Sequence, residues 1–195
     1  MKVHDPHSRN RVRAMIQPDD EFESDEGAFD EDEEIDTGDL EALIWNLLVL
    51  INPGDEESAL RQFSAWRDGM AEAGGDEDEA MFVLRRAIDW SSGFFVDWKD
   101  TESFVASIDE LAARWNLRID WGGDTSDEDF IDGVEVASLM AVAHDRLREH
   151  GYTLWQWNSG GDDYSGWIAL SRDDEAMQQL CMALGVEVRP GSDPF

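Results

Sequence analysis

Three stretches of this chain set an aspartate against a tryptophan: Ile88-Asp89-Trp90, Val96-Asp97-Trp98 and Ile119-Asp120-Trp121. A carboxylate beside an indole suits the holding of a cation, by charge and by the negative face of the ring. The segment 151–171, GYTLWQWNSGGDDYSGWIALS, concentrates the same residue types in Trp155, Trp157, Trp167, Asp162 and Asp163. The candidate binding face is therefore Asp97, Trp98, Asp120, Trp121, Trp155, Trp157, Asp162, Asp163 and Trp167. Asn158, Asp162 and Asp163 are also oxygen donors of the kind calcium takes, but the run lacks the EF-hand spacing and its closing glutamate. A turn that uses Gly and Asp for their backbone tolerance is the simpler reading. No metal or other cofactor is expected.

Bond-making machinery is hard to find. Nucleophilic catalysis needs a base beside its nucleophile, usually a histidine. His4 and His7 lie in an acidic leading arm, and His144 falls beside Asp145 on the polar flank of a helix. His150 belongs to that helix's last turn, where the dipole favours a cation. Cys181 sits on an apolar stripe, where a thiol is inert. There is no phosphate loop, G-x-S-x-G or zinc spacing. A carboxylate-dependent hydrolase stays open as the alternative, together with a metal-binding domain. Forty-six acids supply many pairs, and glycoside hydrolysis needs only two carboxyls at the correct separation.

Charge narrows the partners. Residues 17–39 hold thirteen acids and no Lys or Arg, so they repel one another and have little to bury. With the mildly basic Met1–Ile16, bearing Lys2, Arg9, Arg11 and Arg13, they read as a disordered arm over 1–38. From residue 41 onward, eleven bases face thirty-two acids, a net of −21. No basic run exists to neutralise phosphates, so neither nucleic acid nor an anionic membrane is an expected partner. A basic protein is, because opposite fields steer encounter. A lone cysteine, no leader-like apolar region and no apolar run of membrane length make the cytoplasm the expected compartment.

The elements that must position these groups are legible from periodicity. Residues 39–195 read as one α/β (α+β) domain. Leu40, Leu43, Ile44, Leu47, Leu48 and Ile51 lie at helical spacing until Asn52-Pro53-Gly54 stops them. Helices follow at about 55–73 and 77–89, making a helical layer. GFFVDW (93–98) reads as a strand, 102–116 as a helix capped by Asp100 or Thr101, LRIDW (117–121) as a strand, and 134–149 as a helix. YTLWQWNS and YSGWIALS make an antiparallel hairpin. A last helix bears Met177, Leu180, Cys181 and Leu184, and VEVRP closes the chain's strands. The order is β-α-β-α-β-β-α-β after three helices, as a mixed sheet with helices packed on it.

FFVDWKDTESF, HDRLREHGYTLWQWNSGGDDYSGWIALSRDDEAM and RPGSD resemble an uncharacterised bacterial family, a domain of unknown function. The likeness covers most of 40–195, leaves the arm out, and implies no activity, substrate or catalytic residue.

The hairpin itself poses the deciding question. Thr153, Trp155 and Trp157 share one face while Tyr152, Leu154 and Gln156 share the other, and Ile168 and Leu170 alternate with Trp167 and Ala169. A half-wet sheet would carry one polar face, and this one has none. Either helices cover both sides, or one face exposes Trp155 and Trp157 near Asp162 and Asp163. With the charge and the missing catalytic set, the sequence points to a non-enzymatic acidic protein that recognises a basic protein surface. An immunity-type inhibitor or a phosphate mimic would be concrete forms of it.

Overall fold

The computed structural model describes residues 37–195. The acidic arm read over 1–38 lies outside the described residues, except that Thr37 and Gly38 already open the first helix. Helix α1 (Thr37–Ile51) is followed by α2 (Glu56–Glu72), and a 3-10 turn at Glu77–Glu79 leads into α3 (Ala80–Ala87). Strand β1 (Gly93–Asp97), α4 (Thr101–Ala113), the single-turn α5 (Glu128–Asp132) and α6 (Val136–Glu149) come next. The hairpin is β2 (Tyr152–Trp157) and β3 (Asp163–Leu170), and α7 (Asp174–Ala183) and β4 (Val188–Pro190) complete the described chain.

Local chemistry explains the boundaries. Asp55 caps α2 by accepting from the Ser58 amide at 3.0 Å, and Asp100 caps α4 through Ser103 at 2.9 Å. Each satisfies an amide that the first helical turn leaves unpaired. Gly151, at φ +82°, closes α6 where a side chain would be strained. On β3, a Cβ at Gly166 would lie 2.0 Å from the Trp155 carbonyl oxygen and about 3 Å from the Phe94 ring. Glycine there is what lets the central strands approach.

The sheet runs β1-β3-β2-β4, and every pair is antiparallel. Trp155 lies opposite Trp167, and Phe94 opposite Gly166. The α+β class, with its helical layer first, is the one read from the sequence. Two particulars differ. The sheet is antiparallel rather than mixed, because β3 slots between β1 and β2, and α7 returns β4 to the free edge of β2. Residues 117–121 form no ladder. Asn116 (φ 57°) reverses the chain and the Leu117 amide donates to the Ala112 carbonyl, so the segment doubles back along α4. The indole of Trp121 then packs edge-on against Phe104 at 6.1 Å.

Helices cover both faces of the sheet. On one side Trp155, Trp157, Trp167 and Ala169 pack with Ile44, Leu47, Leu48, Trp66, Leu84, Met177 and Cys181. On the other, Phe94, Val96, Leu154 and Ile168 pack with Phe104, Ile108, Leu111, Met140 and Leu147. This corrects the exposed-hairpin alternative, since Trp155, Trp157 and Trp167 keep only 2%, 6% and 0% of their surface in water. Burying rings of this size stabilises the fold through the apolar surface they remove from water, although the Nε1 groups of Trp155 and Trp167 have no hydrogen-bond partner.

A second, polar seam joins the first helices to β1. Asn52, Gln62 and Ser92 are all buried. The Asn52 amide donates to Gln62 at 3.0 Å, the Gln62 amide to Ser92 at 2.8 Å and to Asp89 at 3.2 Å, and the Ser92 hydroxyl back to Asn52 at 2.5 Å. Arg61 reaches Asp89 at 3.0 Å and Arg114 reaches Asn52 at 3.1 Å. Such a closed circuit stabilises only while every member is satisfied.

Candidate functional site

The structure divides the nine residues proposed for a binding face. Trp155, Trp157 and Trp167 belong to the core. Trp121, 6% exposed, is buried as well and donates its Nε1 hydrogen to Asp109 at 3.1 Å, while Asp120 stands exposed beside a different cleft. Asp97, Trp98, Asp162 and Asp163 come together where β1 ends and β3 begins, with Asp97 opposite Asp163 and the Trp98 amide donating to the Asp162 carbonyl at 3.4 Å.

Within that group each acid has a distinct role. The Asp163 carboxylate accepts from Arg85 at 2.9 Å, from Ser159 at 2.9 Å and from Ser165. Burial alone would raise its pKa, but the two hydroxyls and the guanidinium outweigh this and hold it below the ordinary value. Its oxygens are thus engaged by protein donors, which disfavours the calcium reading of 158–163. Asp97 accepts from the Lys99 amide at 2.9 Å through its carboxylate, and from the Asp100 amide at 2.9 Å through its carbonyl. This tight turn fixes Trp98 and Lys99 between the strand and α4.

Trp98, half exposed at 50%, forms a wall of a groove of about 550 Å³. The start of α4 supplies Asp100, Thr101 and Glu102, the stretch from α5 into α6 supplies Ile131, Asp132, Val134 and Glu135, and β3 supplies Tyr164. The Thr101 hydroxyl donates to the Val134 carbonyl at 3.3 Å, which ties the two sides together. Four exposed carboxylates, Asp100, Glu102, Asp132 and Glu135, face one cation, Lys99. The Lys99 ammonium lies 4.4 Å from the centre of the Trp98 ring. On its other side Trp98 borders a smaller hollow of about 280 Å³ that reaches Asp162 and Asp163. An apolar floor, an indole face and a surplus of carboxylates can do one thing together: hold a cationic side chain by its aliphatic stem and its charge.

Reading the chain missed most of this groove. Of its lining, only Trp98 is among the residues that the sequence marks for binding, and Asp100 and Thr101 stand out only as alternative caps. Lys99 carries the one signal that was available, being the sole lysine after Lys2. Glu102, Asp132, Glu135 and Tyr164 carry none, because only folding brings them to one place.

The hydrolase alternative has its own location, a cleft of about 780 Å³ lined by Asp109, Arg118, Asp120, Trp121 and Asp124. Partial burial pushes the Asp109 carboxyl above its ordinary value, opposed by the hydrogen bond from Trp121. Asp124 is held low instead, by the Ser126 hydroxyl and amide. These two do not form a pair of raised carboxyls. Burial pushes the Cys181 thiol up to about 12, so it is no nucleophile. Among the described residues, no group of three or more His, Cys, Asp or Glu is arranged to hold a metal ion, and no helix is long and apolar enough to cross a membrane.

Neither a curated protein nor a solved structure matches the chain. A family model does, over residues 43–191, which takes in the whole sheet, every residue of the Trp98 groove and all the helices except the start of α1. The chain belongs to the DUF6630 family, a domain of unknown function.

Proposed function

We propose that this protein is a non-enzymatic binding domain that takes a basic segment of a partner protein into the groove at Trp98. The observation that carries the reading is the stacking of an ammonium on the Trp98 indole inside a groove whose other charges are carboxylates. An exposed tryptophan beside a concave, charged surface has the character of an interface anchor. The net charge of −21 from residue 41 onward adds long-range attraction for a cationic partner and speeds encounter. A cationic toxin site and the phosphate-binding surface of a nucleic-acid-binding protein are both partners of this chemistry.

A labelled hexalysine peptide titrated at low ionic strength tests it. Trp98→Ala should weaken binding about fivefold or more, the size of an exposed-to-part-buried cation–π contact plus lost apolar cover. Glu102→Gln, Asp132→Asn and Glu135→Gln combined should weaken it further, and added salt should weaken all forms by screening. The matched control neutralises Glu56, Glu57 and Asp68, three exposed acids away from the groove. Equal losses in groove and control variants, with no effect of Trp98→Ala, would leave a diffuse acidic surface and no site.

A further inference from the structure

The groove is not vacant at the indole. Lys99 emerges from the same turn as Trp98, its amide pinned to Asp97 at 2.9 Å, and its ammonium covers the ring at 4.4 Å. The fixed turn already holds both backbones in place, so stacking costs only the side-chain freedom of the pair. It is also the only lysine among the described residues. We infer that Lys99 is a built-in competitor: its side chain occupies the groove-side face of Trp98 in the free protein, and a partner's cationic side chain that enters this groove must displace it.

This inference rests on the groove's being the binding site and adds a mechanism that regulates it. One ring face cannot hold two ammonium groups, since like charges that close repel. The displaced Lys99 is not left bare, because the neighbouring Asp100 and Glu102 line the same groove. The competition therefore lowers affinity without abolishing it. It also sets selectivity, as a partner side chain that stacks better than lysine, such as the planar guanidinium of arginine, evicts Lys99 more readily. Any chemistry that neutralises the Lys99 amine, acylation included, would release the ring and tighten binding.

Two measurements decide the matter, and they fail separately from the binding site itself. In the first, Lys99→Met is compared with Arg172→Gln, which removes the same unit of charge at a 79% exposed side chain outside the groove. Lys99→Met should bind hexalysine about two- to fivefold tighter than Arg172→Gln does, matching an exposed cation–π contact. In a Trp98→Ala background that advantage should shrink to what the loss of a nearby like charge contributes. In the second, the ε-methylene protons of Lys99, shifted upfield by the ring beneath them, should move back towards their ordinary position as peptide is added. Peptide binding that depends on Trp98 but leaves the Lys99 protons unmoved, or Lys99→Met behaving as Arg172→Gln, overturns the competitor and keeps the site. Binding that is indifferent to Trp98 overturns both.

Discussion

The dipeptide Asp-Trp occurs at 97–98 and again at 120–121, each time after a β-branched residue, and the two copies have opposite fates. At the first, β1 carries the chain along the sheet and releases it at a turn, which leaves Trp98 half in water and turns the Asp97 carboxylate to backbone service. At the second, the chain pairs with no strand and lies back on α4. Trp121 is buried against Phe104, its indole hydrogen held by Asp109. The third copy, Asp89-Trp90, reverses the weights again: Asp89 anchors the polar seam and Trp90 is 69% exposed. Residue type therefore does not decide whether an indole serves the core or the surface. What decides is whether the fold lays other elements over the ring, as it does over Trp121, Trp155 and Trp167 and not over Trp90 or Trp98.

The largest expected effect tests the buried copy. Trp121→Ala should lower the free energy of unfolding by about 3–5 kcal/mol, read from a urea midpoint, through lost burial and the cavity left behind. A cost below about 1 kcal/mol would mean that the 117–121 segment does not pack on α4 as described.

A smaller loss is expected at Asp89. Asp89→Asn weakens a carboxylate that accepts from Arg61, Gln62 and Ser91, and should cost about 1–3 kcal/mol at neutral pH. The pH dependence sharpens the assignment. Burial would raise the Asp89 pKa, but Ser91 and Arg61 outweigh it and hold it below the ordinary value. A group lowered on folding contributes stability that is present above its unfolded pKa, near 3.8, and is lost as pH falls through its folded value. Asp55 and Asp163 act in the same direction and Asp109, held high, in the opposite one. Self-repulsion of the acidic surface relaxes over the same range, so the readout is the difference between wild type and Asp89→Asn. That difference should shrink on going below about pH 4, and a difference constant from pH 7 to 3 would remove Asp89 from the seam's energetics.

The smallest effects concern the exposed indoles. Trp98→Ala and Trp90→Ala should each change stability by less than about 1 kcal/mol, since neither fills the core. They should part company in binding, with hexalysine affinity falling for Trp98→Ala and holding for Trp90→Ala. If both lose affinity equally, the groove is no different from any other acidic surface that bears a tryptophan.

Much of the fold was legible because it depends on short-range rules. The stripe Leu40, Ile44, Leu47, Leu48, Ile51, a cap at Asp100 or Thr101, the hairpin at 158–162 and the stop at Pro53 each follow from a few neighbouring residues. The strand expected at 117–121 failed for a reason outside such a window. Leu-Arg-Ile-Asp-Trp alternates well enough for a strand, but Asn116 turns the chain back onto α4 and Trp121 packs on Phe104, so the segment joins neither open edge of the sheet. The candidate face failed likewise. Trp155, Trp157 and Trp167 are as suited to an interface as Trp98, and only the helices laid over them made them core.

From residue types and their order alone came the acidity, the order of helices and strands apart from residues 117–121, and a hairpin with large apolar groups on both of its sides. The fold settled which tryptophan meets solvent, that Lys99 lies on it, and that carboxylates from α4 and from the stretch into α6 gather around the pair. Periodicity and capping act over one or two turns of chain. A groove is made by surfaces from distant segments, and their meeting is governed by how the whole core packs.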